Sequence, residues 1–139
     1  MGNRSPRLPI QSEDIEHLDT VKNSDESAAL LYRRIFDRCN DAICLIDPEW
    51  DRIIDGNFRA CSVLGYPREK LIAMRVSDVH PNVLFQLRSF VRSVYPNGKG
   101  WTDELTCLTS EGDVLPTEIS ASIARIGDRT LTIAVVRDI

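Results

Sequence analysis

The side chains able to do redox, nucleophilic or metal chemistry are few: Cys39, Cys44, Cys61 and Cys107, with His17 and His80. The cysteines are irregularly spaced, include no CxxC pair and have no cluster of histidines nearby, so the tetrahedral ligand set of a zinc site is not expected. Each lies among apolar or alternating residues, where a reduced thiol behaves as a small hydrophobe. A buried, inert thiol is therefore the preferred reading over a redox role, and it fits a reducing compartment. Catalysis requires a nucleophile, a base and an orienting group to converge. The sequence contains no GxSxG, no HExxH, no Walker loop and no paired-carboxylate signature. Asp103 and Glu104 are adjacent on a predicted strand and would point to opposite faces, so they cannot work as a pair. From these residues no enzymatic activity of the chain's own is expected.

Size and charge narrow the class further. A chain of 139 residues with 42% hydrophobic content buries one core. Seventeen basic against twenty-one acidic residues give a net charge of -4, which argues against a surface that neutralises phosphates or anionic lipid, so neither nucleic acid nor membrane is an expected partner. No apolar run approaches the roughly 20 residues of a membrane span. The opening MGNRSPRLPI lacks the hydrophobic segment of a secretion signal, and Pro6 stands where a myristoylation pattern wants Ser or Thr. A cytoplasmic location is expected.

The elements that would position the reactive residues can be read from periodicity. Residues 1–23 mix Pro6, Pro9, charges and scattered aliphatics and read as a tail or linker. Ser24 opens a helix to Cys39, with Asp25 and Glu26 at its start and Arg33, Arg34 and Arg38 later, as the helix dipole favours. Leu31 with Ile35, and Tyr32 with Phe36, stand four apart and form an apolar stripe suited to packing on the domain or on a second copy. AICLID and the pair Ile53–Ile54 read as two antiparallel strands around a tight turn. Phe58, Cys61 and Leu64 have helical spacing ended by Gly65, residues 68–72 make another short helical piece, and Pro81 is placed to open a longer helix to Val94. That helix puts Val83, Leu87, Phe90, Val91 and Val94 on one face, which must be buried. After the breakers PNGKG, WTDELTCLT, VLPTEISASIARI and TLTIAVV alternate as three strands, with turns at residues 110–113 and at Gly127–Asp128. The last run is apolar enough for a central strand.

These elements, in this order, resemble the PAS family. IFDRCNDAICLIDPEWDRIIDGNFRACSVLGYPREKLIAMRVSDVHP resembles the first half, with Asp47, Asn57, Gly65, Tyr66, Glu69 and Leu71 at the motif positions. LTCLTSEGDVLPTEISAS and LTIAVVRDI resemble the closing hairpin, with the turn at Glu111–Gly112 and the end signature at Arg137, Asp138 and Ile139. The resemblance covers about Tyr32 to Ile139 and rests on several weak motifs at the right distances. It implies an α+β fold: a five-stranded antiparallel sheet with short helices covering one face, preceded by an amphipathic helix at 24–39, the domain itself running over 40–139.

The resemblance also implies a cavity between the longest helix and the sheet, which the family uses to hold haem, flavin, small metabolites or nothing. Its expected lining is Ile43, Leu45, Ile54, Asn57, Cys61, Leu64, Leu87, Val91, Leu105, Ile119 and Val135, each of which is otherwise plain core. Asn57 at a helix start is read first as a cap and second as a ligand contact. Adduct-forming flavin members need a cysteine soon after the GlyTyr motif, where this chain has AMRVSDVHP. Haem members place a histidine on the long helix, where this chain has none. His80 is read as a helix-entry residue, and both cofactors are disfavoured. Non-covalent flavin stays open, with Trp50 and Trp101 the residues that could be quoted for it. No cofactor is required. The expected function is sensing and dimerisation within a larger signalling protein such as a histidine kinase, cyclase or transcriptional regulator, as a homodimer joined through Leu31, Tyr32, Ile35 and Phe36. Arg137 and Asp138 would mark the junction to a downstream effector. The rival expectation is a ligand-free interaction module.

Overall fold

A computed structural model describes residues 26–139. The tail read over 1–23, with His17, and the helix start at Ser24 lie outside the described residues. Helix α1 (Glu26–Arg38) leads into strand β1 (Ala42–Asp47) and strand β2 (Arg52–Gly56), followed by the short helices α2 (Phe58–Leu64), α3 (Arg68–Leu71) and α4 (Val76–Val79), and by the longest helix, α5 (Leu84–Asn97). Strands β3 (Lys99–Thr102), β4 (Thr106–Leu108), β5 (Val114–Ile126) and β6 (Arg129–Asp138) complete the chain. All pairings are antiparallel, in the spatial order β2-β1-β6-β5-β3, with β4 also on β5. The apolar run TLTIAVV thus lies in the central strand β6, as its composition implies.

Two elements differ from the sequence expectation. WTDELTCLT is not one strand: Thr102 Oγ1 accepts a hydrogen bond from Glu104 N at 3.1 Å, a local turn that breaks the ladder. The break resets the alternation, so that Leu105 and Cys107 are buried while Trp101 is 57% exposed. Pro81 does not open the long helix. Val83 N bonds to the carbonyl of His80, closing a turn over His80–Val83, and regular helix begins at Leu84. At the other end the helix continues past Val94 and through Pro96 to Asn97, ended by Gly98 at φ 78°.

Helices α2–α5 cover one face of the sheet, and their apolar sides form the main core with Cys44, Ile119, Ala134 and Val136. The approach of α5 is set by Gly100 on β3, where an added Cβ would lie 2.7 Å from Val94 Cγ2 and 3.1 Å from Phe90. Gly65 closes α2 at φ 83°, beside Ser110. Helix α1 lies on the opposite face, where Phe36 packs with Leu45, Ile54 and Leu131 in a second, smaller core. Tyr32 and Phe36 stack at 5.4 Å between ring centroids, with the Arg33 guanidinium over both rings.

Candidate functional site

Between α5, α4 and the inner sheet face lies a cavity of about 110 Å³. The sheet supplies its floor through one parity of each strand: Cys44 and Ile46 of β1, Ile119 and Ala121 of β5, and Thr132, Ala134 and Val136 of β6. These residues are register partners, Cys44 opposite Ala134 and Ile119 opposite Val136, so their side chains share a face. Helix α5 roofs the cavity with Leu87, Phe90, Val91 and Val94, and α4 with Val76 and Val79. No Lys or Arg lines it.

Two polar side chains at this wall, Asp51 and His80, are held by hydrogen bonds. Asp51, held at φ 52°, receives both the backbone N–H and the hydroxyl of Ser77 and so caps the start of α4. His80 is 6% exposed, and its Nδ1 lies 2.8 Å from the carbonyl oxygen of Thr106. A carbonyl only accepts, so Nδ1 carries the proton and Nε2 holds the lone pair in the neutral ring. Burial pushes the His80 pKa down, against the Thr106 hydrogen bond and the charge of Asp51, which keeps the ring neutral at pH 7. Burial pushes the Cys44 thiol up to about 12 and the Cys107 thiol up to about 11. Neither supplies a thiolate nucleophile. Among the described residues no group of three His, Cys, Asp or Glu side chains is placed to hold a metal ion.

Of the residues expected to line the cavity, Leu64, Leu87, Val91, Leu105 and Ile119 do so. Ile43, Leu45, Ile54 and Val135 do not. Ile43 pairs with Val135 on the outer sheet face, while Leu45 and Ile54 pack beneath α1. A strand has period two, so a choice of parity in a continuously apolar run such as AICLID moves the whole set to the other side. The residues missed there are their neighbours Cys44, Ile46, Ala134 and Val136. His80 was missed as a wall residue because its turn, rather than a helix start, brings its ring inward. Cys61 is half-buried at the edge of the main core and does not reach the cavity.

Asn57 is fully buried and makes four side-chain hydrogen bonds. Its Oδ1 accepts from Ile43 N at 3.0 Å and Ala60 N at 2.9 Å, and its Nδ2 donates to the carbonyls of Phe36 and Asp41, each at 2.9 Å. It caps α2 and ties that helix to α1 and β1, with no capacity left for a ligand. Trp50 and Trp101 are exposed and lie away from the cavity. On α1, Phe36 is buried and Tyr32 half-buried, whereas Leu31 and Ile35 are 58% and 59% exposed. Arg137, exposed at the end of β6, bonds Asp41 at 3.3 Å, and Asp138 beside it is exposed.

A curled antiparallel sheet in this strand order, with a small cavity under its longest helix, defines an α+β module built on one sheet. The PAS domain family model matches residues 40–139, and the chain belongs to that family. It is 27% identical over 131 residues to the methyl sulfide methyltransferase-associated sensor of Methanosarcina acetivorans, a match covering 94% of this chain and 13% of that protein. Among solved structures, a PAS domain from a two-component sensor histidine kinase matches with a TM-score of 0.72 at 18% identity, covering 82% of this chain and 98% of that one. A PAS domain from Colwellia psychrerythraea matches with a TM-score of 0.69 at 26% identity, covering 79% and 97%. PAS domains are regulatory sensor modules of signalling proteins such as histidine kinases, generally without catalysis of their own. No helix among the described residues is long and apolar enough to cross a membrane.

Proposed function

We propose that this chain senses a small molecule held in the cavity under α5 and relays its binding through β6 to an effector in a longer signalling protein. The observation that carries the reading is the cavity itself: about 110 Å³, apolar, and floored by the central strand whose far end carries Arg137 and Asp138. A closely packed domain keeps few voids larger than water, so an apolar one beside the longest helix invites a ligand. Its size is well below the roughly 300 Å³ and more of typical cofactor and drug sites. This favours a compact ligand over flavin or haem. An occupant would press on α5 and on Ala134 and Val136, and β6 would carry the displacement to the Arg137–Asp41 pair.

The test is organic extraction and mass spectrometry of the purified chain, with a small-fragment titration followed by the methyl resonances of Leu87, Val91 and Val94. Ala134→Leu, which fills the floor, serves as the blocked control. Binding that Ala134→Leu abolishes supports the reading. An extract without any molecule and methyl signals unmoved by a broad fragment set would reject it. For the relay, Asp138→Ala in the longer protein should alter output regulation, and unchanged regulation counts against transmission through that end.

The second reading is pairing of two chains, favoured by a separate observation. Leu30, Leu31 and Ile35 of α1 are 56%, 58% and 59% exposed, an apolar edge that the domain's own packing leaves uncovered. The outer sheet face beside it, with Trp101, Ile133 and Val135, is also open. A concentration-independent monomer in sedimentation would dismiss this reading.

A further inference from the structure

The lining of the cavity restricts the chemistry of what it can hold. With no Lys or Arg at the wall, a carboxylate or phosphate would be buried without a counter-charge, at a cost that such a small site has no means of offsetting. A cation fares little better, because the one carboxylate there, Asp51, is already bonded to the Ser77 hydroxyl and backbone N–H. The occupant is therefore neutral. Its size follows from the volume: about 110 Å³ is slightly smaller than the roughly 150 Å³ apolar cavity known to take benzene, so a single six-membered ring or a short branched chain is the scale.

Of the polar side chains at the wall, Tyr95 is 52% exposed and Thr132 half-buried, whereas His80 is buried and keeps one ring nitrogen uncommitted. His80 Nδ1 is fixed on the Thr106 carbonyl at 2.8 Å, and the ring borders the cavity while only 6% exposed. Nε2 is then an unprotonated acceptor with no partner among the described residues. We propose that His80 is the specificity-determining residue of this cavity, its Nε2 accepting a hydrogen bond from a small, neutral, largely apolar ligand that carries one O–H or N–H donor. The Thr106 bond makes it so, because it fixes which ring nitrogen keeps its lone pair. This rests on the reading that the cavity holds a ligand.

Phenol and toluene, which are nearly the same size, separate the two ideas on the unaltered 139-residue chain. In a cavity with no acceptor toluene binds more tightly, because burying an unpaired hydroxyl is unfavourable. With His80 as acceptor the order reverses, and phenol binds at least about tenfold more tightly. Long-range nitrogen–proton spectra report the contact directly: phenol should shift the His80 Nε2 resonance and toluene should not. His80→Gln, which keeps an acceptor, should retain the preference for phenol, and His80→Leu should reverse it. Toluene binding as well as phenol, or a preference for phenol with the Nε2 resonance unmoved, overturns the assignment to His80 and leaves the ligand cavity standing. If neither probe moves the Leu87, Val91 or Val94 methyl signals, the cavity reading fails and this inference fails with it.

Discussion

Asp55 and Arg33 are joined by a hydrogen-bonded ion pair of 2.7 Å between Oδ2 and Nη2, linking β2 to α1 across 22 residues of sequence. The carboxylate is fully buried and also takes the Tyr32 hydroxyl at 2.9 Å, Arg68 Nε at 2.8 Å and Gly56 N at 2.9 Å. One acid thus fastens α1, β2 and α3 together. Together with the Asn57 bond to the Phe36 carbonyl and the Phe58 N–H bond to Asp37, this carboxylate holds α1 on the domain.

Asp55→Asn keeps the shape but leaves two guanidinium groups facing a neutral amide. The expected loss is about 2 kcal/mol, below the roughly 3–5 kcal/mol of a fully buried pair because water still reaches both arginines. Hydrogen exchange should quicken in α1 more than in β5 or β6. Uniform exchange across the domain would show that the pair does not anchor the helix.

Asn57→Ala removes the hydrogen bonds that Oδ1 and Nδ2 make with two N–H groups and two carbonyls, of which the Phe36 carbonyl keeps Cys39 N at 3.4 Å. At about 1 kcal/mol or more for each buried group left unpaired, a loss above about 2 kcal/mol is expected in urea denaturation. A change within about 0.5 kcal/mol would mean that water replaces the side chain.

The two apolar pairs on α1 should part company when made polar. Leu31→Ser and Ile35→Ser, at exposed positions, should change stability by less than about 0.5 kcal/mol and weaken any self-association seen by sedimentation. Phe36→Ala opens the second core and should cost about 3 kcal/mol, whatever the oligomeric state. Similar losses from Ile35→Ser and Phe36→Ala would contradict the orientation of the helix.

The pH dependence contributed by His80 has a definite sign. Burial lowers its folded pKa beneath the unfolded value of 6.5, so below that value the unfolded chain binds more protons. The stability due to the neutral ring is complete above pH 6.5 and is lost as pH falls through the folded pKa. Asp51 is the charged group that opposes this shift. The stability difference between the native chain and His80→Gln should therefore shrink between pH 7 and pH 5, and a difference independent of pH would exclude a buried neutral His80.

Thiol labelling should divide the four cysteines by burial. Cys39 is half-buried at the end of α1, whereas Cys44 and Cys107 are buried with pKa values pushed up to about 12 and 11. At pH 8 Cys39 should label first and Cys61, whose thiol is also raised, more slowly. Cys44 and Cys107 should label only on unfolding. Rapid labelling of Cys107 in the folded chain would show that the cavity opens to reagent.

The sequence by itself determined the order and kind of most elements, because the signals are local. Alternation in VLPTEISASIARI, the capping position of Asn57 and the stop at Gly65 each depend on residues a few positions apart. The family match, spread over many weak motifs, follows from the same local information. Tertiary structure decided which side of each strand faces the cavity. In AICLID and TLTIAVV both parities are apolar, so only the pairing of Cys44 with Ala134, and the placement of α1 over Leu45 and Leu131, tells inside from outside. It also decided the role of His80, whose tautomer and inward position depend on a carbonyl 26 residues away. Partners so distant in the chain leave no periodic trace, yet they fix which ring nitrogen of this buried histidine carries the proton.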